Sequence, residues 1–202
     1  MLSKIGQLAR EIRIGYTIRK LKPGAKAPDP ASLYRVPVLQ AKDVDHEAVA
    51  LRSAELMELE IPTDPAPYMP DPGDLIFLAR GHRHWALPVD ESMPHFLAPS
   101  YFFILRADPS RVRSAYLAWY INREATQDFL RSVAKGSNIP FISKADLADV
   151  SVPSPDLATQ EKIAELAALG RREESLLHHL AERRCVLLDT VCLKLAENGD
   201  QR

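Results

Sequence analysis

The chain has 202 residues and carries 26 Lys and Arg against 27 Asp and Glu, a formal net charge of -1. That balance excludes a histone-like or polybasic protein, but it leaves room for local basic patches, which decide nucleic-acid binding more than the sum does. An apolar fraction of 46% supports one packed domain plus an extended element. No apolar run approaches the ~20 residues that span a bilayer, and Met1 to Gly6 has no signal-peptide core, so a cytoplasmic protein is expected.

Ile5, Leu8 and Ile12 keep roughly helical spacing, with strand pairing from Ile12 onward as the alternative. From Met1 to Lys26 seven basic side chains (Lys4, Arg10, Arg13, Arg19, Lys20, Lys22, Lys26) face a single acid, Glu11. Such a segment suits phosphate contact, and Arg13, Tyr16 and Arg19 are its candidates; a solvated face is the bland alternative. Lys22-Pro23-Gly24 and Pro28-Asp29-Pro30 mark a loop. Strands are predicted over Tyr34 to Leu39 and near Leu56 to Ile61, and the prolines from Pro62 to Pro72 make a stiff loop.

Asp71-Pro72-Gly73-Asp74 turns into Leu75-Ile76-Phe77-Leu78-Ala79, a continuous apolar run that suits a strand covered on both faces. It delivers Arg80-Gly81-His82-Arg83-His84-Trp85. Arg binds guanine edges bidentately and glycine permits close backbone approach, so Arg80, His82, Arg83 and His84 are DNA-contact candidates. A metal site is the weaker reading, since no clear third ligand accompanies the two histidines. Leu87 to Glu91 begins a strand or turn. Tyr101 to Leu105 is a core strand. Residues 111 to 130 hold helical spacing through Val112, Tyr116, Leu117, Trp119, Tyr120 and Phe129, and their aromatics read as core.

Lys135-Gly136-Ser137-Asn138 is a turn on permissive backbone. Lys135, Ser137, Asn138 and the nearby Lys144 could contact phosphates and base edges. Ser143 opens a short helix with Asp146 at capping-box spacing. Val150 to Pro153 reads as a strand, and a long helix runs from about Leu157 to Ala196, on the order of 58 Å. Its apolar stripe includes Ile163, Leu166, Leu169, Leu177, Leu180, Leu187, Val191 and Leu195. Such a stripe needs a partner helix. Cys185 and Cys192, seven apart, read as packed thiols in a reducing compartment.

Four features occur in this order: the Gly136-Ser137 turn, Ile142-Ser143-Lys144-Ala145-Asp146-Leu147, Val152-Pro153-Ser154-Pro155 and Gln160-Glu161-Lys162-Ile163. Together with Val38 to Val44, Gly73-Asp74-Leu75-Ile76 and Tyr116 to Asn122, they resemble the specificity (S) subunit of type I restriction-modification systems. Ser154 and Ala158-Thr159 depart from that family's usual residues. The resemblance implies an α+β fold: a mixed-sheet target recognition domain over residues 1–155 and one long helix over 156–202 for coiled-coil pairing. It implies a DNA-reading subunit without catalytic residues, metal or cofactor of its own. Double-stranded DNA, an adenine methyltransferase subunit and in some systems a restriction subunit would be its partners. In full-length S subunits two such helices pair antiparallel between two recognition domains, so a homodimer and a bipartite target are expected here.

Two other readings belong to other classes. Pro28-Asp29 followed by Gln40-Ala41-Lys42 is a loose match to small metal-dependent nucleases. An assembly module that no longer reads DNA is the other. Asn138-Ile139-Pro140-Phe141 superficially resembles an adenine methyltransferase motif, but its first proline is missing and no Gly-x-Gly occurs in the chain.

Overall fold

The computed structural model describes residues 1–18, 33–45, 50–51 and 55–199. In chain order the elements are β1 (Leu2–Lys4), α1 (Ile5–Leu8), β2 (Ala9–Ile14), β3 (Tyr34–Val38), β4 (Val44–Asp45), β5 (Ala50–Leu51), β6 (Met57–Ile61), β7 (Asp74–Leu78), β8 (Ala86–Pro88) and β9 (Phe102–Ala107). Then follow α2 (Ser114–Asn122), α3 (Glu124–Val133), α4 (Lys144–Ala148), β10 (Ser151–Pro153) and α5 (Leu157–Gly199). The fold is α+β. Its main sheet has the order β2-β9-β7-β8, with three two-stranded ladders beside it. These named strands pair antiparallel, and the parallel pairings are single bridges such as Tyr16 to Pro99 and Val38 to Leu97.

The apolar run of β7 has a direct structural cause. All five of its residues are buried, because successive side chains point to opposite faces and both faces are covered. Leu75 and Phe77 join Phe103 and Leu105 of β9 in a core closed by Ile5, Leu8, Leu117, Ile121, Leu130 and Leu147. Ile76 and Leu78 join Phe102 and Ile104 in a second core with Leu39, Trp85, Leu87 and Phe96. A third, smaller cluster of Val36, Val38, Ile61 and Leu97 lies under the β3–β6 ladder.

Three expectations change. Residues 3–14 form strand, one helical turn and strand; Ile5, Leu8 and Ile12 are still buried, because the turn at Ile5–Leu8 brings them to one side. The helix expected over 111–130 is two helices, broken at Arg123 (φ -66°, ψ 141°). There the Asn122 side chain pairs with the backbone of edge strand β8, accepting from Ala86 N and donating to Ala86 O, both at 2.8 Å. Cys185 and Cys192 are exposed, since among the described residues nothing packs on the helix around them.

The chain divides into two compact units, Met1–Ala164 and Glu165–Arg202, and α5 contributes to both. Its start is capped by Asp156, which accepts from Thr159 N at 2.9 Å; that hydrogen bond, with a second from the Thr159 hydroxyl, holds the carboxyl below its usual range. In the second unit the stripe residues are bare, from Val191 at 44% to Leu166 at 69% exposed. Among the described residues no helix is long and apolar enough to cross a membrane.

Candidate nucleic-acid interface

The sheet topology gathers segments that are distant in sequence. β2 and β7 both run antiparallel to β9, which lies between them. Their C-terminal ends therefore emerge at the same end of the sheet. β2 leaves through Gly15 and Tyr16, and β7 leaves through Arg80 to Trp85.

At the β2 exit the chain crosses closely under the segment before β9. Gly15 N donates to Phe102 O at 3.0 Å, and Tyr16 N donates to Ala98 O at 2.7 Å. The half-buried Tyr16 ring packs edge-on to Tyr68, with centroids 5.1 Å apart.

At the β7 exit two loops are tied together. Gly81, at φ 139°, donates to Pro140 O at 3.0 Å, and Ile142 N donates to Ala79 O at 2.8 Å. The guanidinium of the exposed Arg80 lies 5.4 Å over the Phe141 ring. The second loop is closed by a reciprocal pair: Lys135 N donates to Phe141 O and Phe141 N to Lys135 O, at 2.9 and 2.8 Å. Gly136 turns it at φ 96°, a left-handed conformation that favours glycine. Lys135 Nζ lies 3.0 Å from Asp146 Oδ2. The Ser143 hydroxyl and Lys135 together hold the Asp146 carboxyl below its usual range, so the cap of α4 and the loop share one carboxylate.

The outcome for the predicted residues is mixed. Arg80, His82, Arg83, Lys135, Ser137, Asn138 and Lys144 are exposed; the contacts above bring together the two loops that carry the first six, and Lys144 opens α4. His84 is a correction: it is 1% exposed, its Nδ1 is 3.1 Å from Leu78 O, and it stacks on Phe77. The segment after Gly81 folds straight back as β8, which turns His84 and Trp85 under the sheet instead of leaving them on an open loop. Burial pushes the His84 imidazole below its usual range. Arg13 is a second correction. Its side chain is only 22% exposed; Nη1 donates to Pro67 O at 2.9 Å, and it sits 3.9 Å from the buried Asp74. Asp74 in turn binds Arg106 at 3.1 Å. Arg13 therefore serves a charged cluster on the sheet. Arg19, together with Pro28-Asp29 of the nuclease reading, lies outside the described residues.

Sequence reasoning missed Phe141 as the platform under Arg80, and it missed Ile139, 61% exposed beside Asn138. Pro140, which stiffens that loop, was the available signal. Among the described residues no group of three or more His, Cys, Asp or Glu is placed to hold a metal ion.

No family model and no curated protein matches this sequence. Solved structures do match its fold. A chain from a structure concerning complex assembly and conformational transition of the type I R-M system is 14% identical with a TM-score of 0.64, over 91% of this chain and 45% of that one. The HsdS subunit from Thermoanaerobacter tengcongensis is 15% identical with a TM-score of 0.56, over 92% and 44%. The type I restriction-modification system S subunit from M. genitalium is 15% identical with a TM-score of 0.54, over 88% and 40%. The fold is thus that of HsdS specificity subunits, and this chain spans less than half the length of those it matches.

Proposed function

We infer that this chain is a DNA sequence-reading subunit of a type I-like restriction-modification system and not an enzyme. The observation that carries this reading is the HsdS-like fold over about nine-tenths of the chain. The cationic and hydrogen-bonding loops at one end of its sheet are consistent with it. The domain up to the start of α5 would read one half of a bipartite target. Arg80, Arg83 and Lys135 would neutralise phosphates, while His82, Ser137, Asn138 and Lys144 would reach phosphates or base edges. Tyr16 would extend the same surface from the β2 exit. The reaction would belong to an adenine methyltransferase subunit, with a restriction subunit joining where one is present.

The bare stripe on α5 supports pairing with a second such helix. In a homodimer the two domains would be related by a two-fold axis, and the target would be an inverted repeat with a gap. The test is a comparison of genome-wide adenine methylation with and without this gene. Loss of methylation at one gapped motif is the expected result, and a palindromic motif would fit the symmetric dimer. If no motif changes in a cell whose methyltransferase is active, the reading fails.

A further inference from the structure

Within the first unit an apolar groove of about 350 Å³ lies beside the first turns of α5; Tyr116, Trp119, Tyr120, Arg123, Pro155 and Ile163 line it. Trp119, Tyr120 and Ile163 pack against the domain's core on one side only. Trp119 and Tyr120 are only half-buried, while Tyr116 below them is fully buried and fixed by a 2.8 Å hydrogen bond from its hydroxyl to Pro153 O. The Arg123 guanidinium lies over both open rings, 5.4 Å from Trp119 and 5.5 Å from Tyr120. Among the described residues it makes no ion pair. A rigid aromatic floor with one unpaired cation at its rim is suited to an apolar segment that ends in negative charge.

We propose that this groove receives the C-terminal turns of α5 from a second copy of the chain. The inference rests on the helix-pairing reading above and extends it from the helix onto the domain. Two observations select the occupant. The first is continuity: Ile163 lines the groove and is also the first residue of the stripe that continues through Leu166, Leu169, Leu177, Leu180, Leu187 and Val191 to Leu195. In an antiparallel two-fold pair that matches the ends of this stripe, Ile163 faces Leu195 of the second copy, with the axis near His179. The second is charge. The end of a helix exposes unpaired carbonyls and carries a partial negative charge, which Arg123 is placed to meet. Leu195, with Val191 one turn before it on the same helix face, both exposed here, supplies apolar surface for the aromatic floor.

The test measures dimer dissociation by sedimentation of the full chain and of Trp119→Ala, Leu195→Ala and the double variant. Each single change is expected to weaken the dimer by about tenfold. The double variant should fall well short of the product, because the two side chains share one contact. Arg123→Glu, a surface change that leaves the fold intact, should weaken the dimer by placing a carboxylate against the helix end. Dimers with unchanged dissociation constants, or with fully additive losses, would overturn the groove assignment and leave helix pairing standing. A chain that stays monomeric at every concentration would remove both.

Discussion

Gly15 illustrates how one residue can set the geometry of the candidate interface. A Cβ placed there would sit 2.3 Å from both Ala98 O and Pro99 O, and both are backbone atoms that cannot step aside. Gly15→Ala is therefore expected to cost more than ~2 kcal/mol in urea unfolding, and to loosen the Tyr16 exit. Gly170, in the exposed body of α5 with nothing within 4 Å of its would-be Cβ, gives the opposite sign: Gly170→Ala should stabilise that helix by roughly 0.5–1 kcal/mol. His84 supplies a pH dependence. Its folded-state pKa is depressed by burial, so between that value and the ordinary value near 6.5 the unfolded chain binds more protons. Its contribution is then intact above pH ~6.5 and is lost as pH falls through the folded-state pKa. Thermal midpoints measured from pH 8 to 5 should fall less steeply for His84→Phe than for the parent chain.

At the scale of elements, Gln160 fixes the start of α5 to the domain. It is 1% exposed; its Oε1 accepts from Arg113 N at 2.9 Å, and its Nε2 donates to Arg111 O at 3.1 Å and Pro155 O at 2.9 Å. Gln160→Leu would leave three backbone groups without their partner, at a cost of about 2–4 kcal/mol, read from the chemical midpoint. Gln160→Glu should also destabilise, since an ionised carboxylate cannot donate to the two carbonyls. The Gln-x-x-Ile spacing was visible in the sequence, but its reason was not, because two of the three partners lie 47 and 49 residues away. The same distinction holds elsewhere. The Ser143 cap with buried Ile142 and Leu147 is local chemistry and could be read directly, as could the continuous burial of β7. The helix break at Arg123 depends on Asn122 reaching Ala86, and the burial of His84 depends on β8 folding back onto β7. Neither has a local signature. Arg80 and Lys135 could each be nominated from composition, but only the fold places their loops side by side.

For the whole molecule, the near-zero net charge makes the placement of cations decisive. If DNA binding were diffuse attraction, removing any exposed cation would weaken it equally. The sheet geometry predicts otherwise. Arg80 and Lys135 belong to the loops tied together at the end where β2 and β7 terminate. Arg10 lies at the opposite end of β2, 3.3 Å from Asp108. Affinity for a mixed-sequence duplex should fall with rising salt, with a logarithmic slope of about -0.9 per phosphate contact. Arg80→Gln and Lys135→Gln should each reduce the magnitude of that slope by about one, while Arg10→Gln should leave it unchanged. Fluorescence anisotropy on a labelled duplex across a salt series measures this without knowledge of the target. Equal slopes for all three variants would mean that DNA does not dock on this end of the sheet. In that case Ser137, Asn138 and His82 would lose their assignment with it, since they lie on the same two loops and have no other route to a base edge.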